Sequence, residues 1–560
     1  MTPGLAGFVV SGEAPVWSDL LDGVLAALRE AFDVAPERDD ARAGACRRTW
    51  YDTFDWRLYR AGMLLEYVTA HRCGELVLTS PDGGDGVTGS ALSNGNRAVG
   101  HAVQSVAGWR AARSYLAADL PDGPITDRIA DLVSPRALLP EVTVASTTTV
   151  TRLLNSDGKT VARLLIERPA VGDVALPPRL AIAEVRGYPG QARRAARIIA
   201  LAPGIEISPD TDSPQGGAAA RAQESLLIDA LRVIGRRAGD YSNKVAAKIA
   251  AGMPAASAAA TIMLTLLDTL EANVDGVLHD TDTEFLHDLR VAVRRTRAAI
   301  KLLGDALQIP DEQVARFAAE FKWLGDVTTP VRDLDVHLLG FDAMEAGLRA
   351  AKEDDLTPFR TFLSDRRARE FRVLARGLRS ERFSQLMRDW RVALSAVLKG
   401  KKRPAAQFAT MTAAELATER TRQAFRKVTK RGAAITPDSP HESLHDLRKR
   451  CKELRYALEF FAPLHDKPAY AAVVGDLKRL QDCLGEFQDN EVQIDEIRML
   501  ASAMLAAGAA PAATLLAMGE VTAGLAACQQ AARDVFEKRY AGFGGPDGQR
   551  HMAVLLGGAK

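Results

Sequence analysis

Short segments in the first 205 residues alternate apolar and polar positions and are rich in Val, Thr and Leu. They lie at Gly7–Val10, Glu75–Thr79, Val142–Thr151 and Val161–Glu167. A period of two with β-branched residues predicts strands. Turn signals bound them at Asp82-Gly83, Asn94-Gly95 and Asn155-Ser156-Asp157-Gly158. The last separates two strand patterns and predicts a hairpin. Helical periodicity occurs at 17–31 and 190–202. Residues 206–224 begin with a Ser/Pro/Gly-rich run and read as a linker. From 225 the pattern is helical almost throughout, with Pro310, Pro330, Pro404, Pro437, Pro440 and Pro463 as punctuation. This predicts a mixed, strand-containing domain at 1–205, an all-α domain at 225–545 and a C-terminal tail at 546–560.

The helical part repeats itself. Residues 285–303 read FLHDLRVAVRRTRAAIKLL and residues 443–461 read SLHDLRKRCKELRYALEFF, an offset of 158 with LHDLR identical. Lys322-Trp-Leu then precedes Arg332-Asp333-Leu-Asp335-Val336, as Lys478-Arg-Leu precedes Gln488-Asp489-Asn-Glu491-Val492. Two matched segment pairs in the same order predict a duplicated helical bundle, with copies at about 225–395 and 405–545.

Each LHDLR helix divides into two stripes at about 100° per residue. In the first, Leu286, Leu289, Val293, Ile300 and Leu303 form the apolar face. His287, Arg290, Arg294, Arg297 and Lys301 fall within a neighbouring stripe about 80° wide. The second helix repeats this with Leu444, Leu447, Cys451, Leu454, Leu458 and Phe461 beside His445, Arg448, Lys452 and Arg455. Solvated helix faces mix signs, because like charges at i,i+4 repel. The first stripe carries no acid, and the second carries only Glu459, where the first has Lys301. One cation per turn, about 5.4 Å apart, suits an extended polyanion, and guanidinium groups match phosphate oxygens in pairs.

Composition changes this picture at one point. Of 560 residues, 72 are basic and 71 acidic, but residues 1–224 hold 23 and 27 while 225–560 hold 49 and 44. The helical part is therefore the basic one. Hydrophobic residues at 47% and charged residues at 26% are ordinary globular values. The five cysteines include no CxxC pair, which argues against a disulfide framework or a cysteine zinc site. The N-terminus lacks a basic n-region. The charge-free stretch Met499–Gly519 is mostly Ala with a break at Pro511, so it reads as two packed helices rather than a membrane span.

On the LHDLR helices and the segments that follow them, residues 225–545 resemble the CHAD family of α-helical histidine domains. That resemblance implies two pseudo-symmetric bundles whose basic faces line a groove or pore, and binding of inorganic polyphosphate without catalysis. The implied binding set is His287, Arg290, Arg294, Arg297, Lys301, Lys322, Arg332, His445, Arg448, Lys452, Arg455 and Lys478. Gln488 replaces Arg332 in the second copy and, with Glu459, is expected to weaken one side of the groove.

Thr49-Trp50-Tyr51-Asp52-Thr53 through Gly62 is similar to a segment of CYTH domains, the triphosphate-tunnel barrels often fused ahead of CHAD. This implies an antiparallel β-barrel for 1–205. Tunnel chemistry needs glutamates for divalent metal and arginines for phosphate. Gly7–Val10 has no ExExK, and Leu65-Glu66-Tyr67-Val68 stands where the family has LRxR. A degenerate barrel without hydrolysis is expected, with Arg152, Arg163 and Glu184 as remnants. The rival reading is a metal-dependent hydrolase of triphosphate or a related phosphorylated compound.

Other motifs carry less. His441-Glu-Ser-Leu-His445 matches HExxH, but the first copy has Thr283 opposite His441. Gly84, Gly89 and Ser90 have P-loop spacing without the lysine. Asp333 and Asp335 fit arginine orientation or helix capping. No aromatic interleaves the basic stripes, which disfavours nucleic acid. No metal, cofactor or catalytic residue is expected, the ligand is inorganic polyphosphate, and the location is cytoplasmic, at polyphosphate granules. Protein partners are not legible.

Overall fold

The computed structural model describes residues 5–13, 16–37, 44–70, 73–79, 101–106, 109–207, 217–400 and 410–557. The chain divides into two units, Met1–Ser242 and Asn243–Lys560. The glycine-rich run Gly83–Gly95, with its P-loop-like spacing, lies outside the described residues.

The first unit is one antiparallel sheet with helices. Its strands are β1 (Leu5–Val10), β2 (Asp33–Pro36), β3 (Gly44–Thr53), β4 (Leu64–Ala70), β5 (Cys73–Thr79), β6 (His101–Ser105), β7 (Leu138–Leu154), β8 (Thr160–Val171), β9 (Val174–Ala175), β10 (Arg179–Glu184) and β11 (Ile205–Ile207). The path runs β11-β1-β10-β8-β7-β3-β4-β5-β6, with β2 on β7 and β9 on β8. The sequence resemblance implied a closed barrel. Among the described residues β11 and β6 are the two ends of an open sheet. The expected hairpin joins β7 to β8: Asn155 Oδ1 accepts from the amides of Asp157 and Lys159, and Gly158 takes φ +72°, a value glycine adopts without strain.

The two faces of this sheet differ. Phe8, Val10, Leu153, Leu164, Ile166, Leu180 and Ile182 form an apolar face covered by α1 (Trp17–Arg29) and α4 (Pro189–Ala200). The short α2 (Arg57–Arg60) and α3 (Pro124–Val133) pack further along, on Tyr51, Leu65, Tyr67 and Leu76. The residues alternating with these point the other way. Part of that face, Trp50, Val142, Val144 and Leu176, is covered by Leu226, Leu227, Ala230 and Leu231 of α5 (Gly217–Val233). Two boundaries read from the sequence therefore move. Residues 217–224, assigned to a linker, begin a helix, and 225–233, assigned to the helical domain, pack within the first unit.

The second unit is helical: α6 (Ala255–Leu278), α7 (Thr283–Leu303), α8 (Asp311–Leu339), α9 (Phe341–Ala346), α10 (Thr357–Leu378), α11 (Glu381–Leu398), α12 (Ala413–Gly432), α13 (His441–Phe460), α14 (Lys467–Ala506), α15 (Ala512–Asp534), α16 (Phe536–Gly544) and α17 (Pro546–Leu555). α6–α11 and α12–α17 are the two copies. Pro330 did not end a helix. It sits inside α8, where it forfeits the bond to the carbonyl of Asp326. The hydroxyls of Thr328 and Thr329 meanwhile donate to the carbonyls of Leu324 and Gly325. The break at Pro511 is as expected, between α14 and α15.

α6 and Ala512–Gly544 are long and apolar enough to cross a membrane by length and composition. α6 is a core helix, with Ile262, Met263, Leu266 and Leu270 almost fully buried. In the first copy Trp390 is fully buried against Phe317 at 4.5 Å and Phe321 at 5.9 Å. In the second, Leu447, Cys451, Leu454 and Leu458 of α13 meet Leu477, Leu480 and Phe487 of α14.

The predicted tail is not a tail. α17 docks on α14, and Met552, only 2% exposed, belongs to the second core with Phe536 and Phe543. Met552→Ala should destabilise the helical unit by about 2–5 kcal/mol, the usual cost of a large-to-small change in a core. Chemical denaturation of the full chain checks this. A change below about 0.5 kcal/mol would return the segment to the surface.

Candidate functional site

The first LHDLR helix, α7, is started by Asp282, whose side chain accepts from the amides of Glu284 and Phe285. Its apolar stripe is buried as the wheel requires. α13 buries the equivalent residues, and the two helices touch.

Two ion pairs fix that contact. Arg295 of α7 meets Glu459 of α13 at 3.0 Å, and Lys301 of α7 meets Glu453 of α13. Applying the repeat offset of 158, Arg295 corresponds to Glu453 and Lys301 to Glu459. Each pair is therefore the image of the other under the pseudo-two-fold relation, with the signs exchanged. The helices cross antiparallel about this axis. Lys301 is exposed and pairs with Glu453. Glu459 pairs with Arg295 and, at 2.7 Å, with Arg455, and it also lines the groove beside the crossing.

Beside the crossing lies a groove of about 420 Å³. α7 contributes Arg294 and Arg295, α13 contributes Arg448, Lys452 and Arg455, and α14 contributes Gln481, Asp482, Glu486 and Asp489. Residues from both basic stripes thus share one space. Arg448 reaches Asp489 at 2.6 Å, and Arg455 reaches Gln481 at 3.4 Å as well as Glu459. Arg294 and Lys452 make no hydrogen bond or ion pair among the described residues. They influence each other directly. Burial, then Arg448 and Arg294, pull the Lys452 ammonium from its usual 10.5 to about 8, against a weaker opposing pull from Asp489.

The remaining predicted residues extend from this centre. Arg290 is half-buried and donates to Thr329 Oγ1 at 2.7 Å and Thr328 Oγ1 at 3.2 Å, with Arg294, Arg332 and Asp333 around it. Arg332 donates to the carbonyl of Thr283 at 3.3 Å and lies 3.8 Å from Glu284. Arg297 lies against Gly325, where an added Cβ would stand 3.2 Å from its Nη1. Lys322 pairs with Asp326 at 2.7 Å, one turn along α8. Lys478 is exposed on α14 and carries no ion pair among the described residues. His287 is half-buried near the start of α7.

His445 hydrogen-bonds Gln488 Oε1, Gln488 Nε2 donates to Glu491 at 2.9 Å, and Glu491 bonds His441 at 2.8 Å. Gln488, where the first copy has Arg332, thus fixes an imidazole. The HExxH-like histidines are spent in this chain, and no His/Cys/Asp/Glu group among the described residues could hold a metal. The acidic pairs orient arginines: buried Asp335 accepts from Arg367 at 2.5 Å, and Asp489 holds Arg448.

The first unit holds a charged group that the sequence reading missed. On the sheet face partly covered by α5, Arg48 pairs with Glu167 at 2.9 Å. Fully buried Glu66 stands beside them, and burial raises its carboxyl to about 7, against the pull of Arg48. Arg179 continues the row to Asp229 of α5 at 3.2 Å. Arg152 and Arg163 are register partners sharing Glu37, at 3.7 and 2.7 Å. Glu184 does not join them. It pairs in register with Ala162, on the other face, and is exposed. The signal for this face was the alternation Arg48, Trp50 in β3 opposite Glu66 in β4.

Residues 261–498 match the family model described as the CHAD domain. Among solved structures, the CHAD domain from the plant Ricinus communis is 23% identical, with 55% of this chain and 96% of that chain covered and a TM-score of 0.46. PptA from Streptomyces chartreusis is 18% identical over 51% and 99%, with a TM-score of 0.40. A Bacillus halodurans protein described as a candidate adenylate cyclase is 12% identical over 35% and 87%, with a TM-score of 0.23. No curated protein sequence matches.

Lys452 makes the groove sensitive to pH. A bound polyanion reverses the local field and restores the ammonium toward its usual value, so binding takes up a proton above pH 8. Below about pH 7 Lys452 is charged with or without ligand and adds no pH dependence. Affinity for a phosphate polyanion should therefore fall as pH rises from 8 to 10, and the fall should shrink in Lys452→Arg. Titrations at pH 7, 8, 9 and 10 measure it. Equal slopes in both proteins would remove Lys452 from the site.

Proposed function

We propose that this protein, whose helical unit carries a CHAD domain over residues 261–498, binds inorganic polyphosphate along the basic faces of α7 and α13 and does so without catalysis. One observation carries the reading. Arg294 and Lys452, from the two copies, lie together in one groove with no carboxylate bonded to either. Two cations held together where one already perturbs the other store repulsion that an anion relieves. Solvated surfaces avoid that arrangement.

The ladder extends beyond the groove through Arg290, Arg297 and Lys478, which also lack ion-pair partners among the described residues. Arg448 and Arg455 can each exchange a carboxylate for a phosphate oxygen. Chain phosphate fits such a row better than a single small anion, because the cations are distributed along helices rather than converging on a point. Base stacking has little to work with, since Tyr456 is the one aromatic lining the groove.

Arg294→Gln, Arg448→Gln and Lys452→Gln together should lower polyphosphate affinity by about two to three decades. The figure takes half the roughly 1.5–3 kcal/mol typical of a charge-assisted contact for each. Filter binding to long-chain polyphosphate, with RNA as competitor and circular dichroism to confirm folding, checks it. Unchanged binding by the folded variant would reject the groove.

The salt dependence follows from the same inventory. Cations already paired with carboxylates release few counterions, leaving Arg290, Arg294, Arg297, Lys452 and Lys478. At roughly 0.7 per contact, log K should fall with log[salt] with a slope near −3.5. A slope shallower than about −1.5 would mean that the two stripes do not act on one ligand.

A further inference from the structure

Lys452 is unlike the other cations of the groove in what surrounds it. Its side chain is half-buried in the groove with Arg448, one turn earlier on α13, Arg294 of α7, and Tyr456 one turn later, and both arginines act on it electrostatically. The neighbouring carboxylate, Asp489, is bonded to Arg448 at 2.6 Å. Asp482 and Glu486 line the α14 side, and neither forms an ion pair with Lys452. A phosphate group entering the groove would meet two guanidinium groups and an amine that share its lining. That is the layout of an amine set beside an anion anchor.

We propose that Lys452 is a modification site for small acyl phosphates, with Arg294 and Arg448 holding the phosphate and the Lys452 amine taking the acyl group. The neutral amine nitrogen attacks the carbonyl carbon and forms the C–N bond. The C–O bond to phosphate breaks, and the electron pair leaves on the phosphate oxygen. The nitrogen's proton passes to the departing phosphate, giving an amide and hydrogen phosphate. No oxidant, metal or cofactor is needed. A lysine beside other cations is a stronger nucleophile at neutral pH than a solvated one, because more of it is unprotonated. Acylation deletes the central positive charge, so the product should bind polyanions less well. The consequence for polyphosphate rests on the function proposed above; the acylation chemistry does not.

The experiment treats the full-length protein with acetyl phosphate and follows acetylation of individual lysines by mass spectrometry. At pH 7 the initial rate at Lys452 should exceed that at exposed Lys478 by at least about tenfold. Between pH 7 and 9 it should rise only about tenfold and level off, as expected for an amine titrating near 8. Arg294→Gln should slow Lys452 several-fold and leave Lys478 unchanged. With acetic anhydride, which carries no phosphate, the slowing should be smaller. Equal rates at Lys452 and Lys478 in the wild-type protein would overturn the proposal, and that comparison requires no variant to fold. Long-chain polyphosphate should protect Lys452. Fast labelling without protection would keep the modification site and reject the polyphosphate reading, while slow labelling in a protein that binds polyphosphate would do the reverse.

Discussion

The groove depends on the crossing of α7 and α13. Two helices that each carry a row of cations repel when brought side by side, and something must hold them there. Part of the work is done by the apolar stripes, which anchor each helix in its own bundle. The register comes from Arg295–Glu459 and Lys301–Glu453. Partly exposed ion pairs contribute roughly 0–1 kcal/mol each, so they do not stabilise the unit appreciably. They choose which residues face each other, and they bring Arg294 into the field of Lys452. Burial and Arg448 of the same helix do most to depress the Lys452 ammonium, and Arg294, brought in by the crossing, adds to it.

The helices and their stripes were legible because periodicity alone decides which residues of α7 and α13 are buried. The repeat gave the pairing of equivalent positions. A single helical wheel could not tell which edge of a basic stripe faces water and which faces the neighbouring helix. That is why Glu459 and Glu453 do not read from the sequence as the partners of Arg295 and Lys301. Arg295, outside the stripe, was passed over although it sets the register. The boundaries failed for a related reason. Residues 217–233 form one helix whose first half is Ala-rich and follows a Pro/Gly-rich run, and only the packing of Leu226, Leu227 and Leu231 on Trp50 and Val144 shows where it belongs. The ten-residue α17 carries few apolar residues, and the burial of Met552 is a tertiary fact.

In the first unit, hydrophobic alternation marks four of the eleven strands described, those at β1, β5, β7 and β8. The apolar face is an ordinary core. The opposite face keeps arginines and carboxylates neutralising one another, Arg48 with Glu167, Arg163 with Glu37 and Arg179 with Asp229. α5 covers part of it with leucines. Such a face is specified by charge pairing and partly filled by the unit's own helix. Sequence alignment to a motif such as LRxR cannot reveal this, because the compensating residues lie on other strands.

The exchanged signs at the α7–α13 crossing also make the two copies non-interchangeable. If two first copies met through the same surface, Arg295 would face Lys301 twice. If two second copies met, Glu453 would face Glu459 twice. Each copy is thus a poor partner for itself and a good one for its sibling, as with two halves of a keyed coupling. The charge pattern at this one contact thus favours the pairing of unlike copies over like ones.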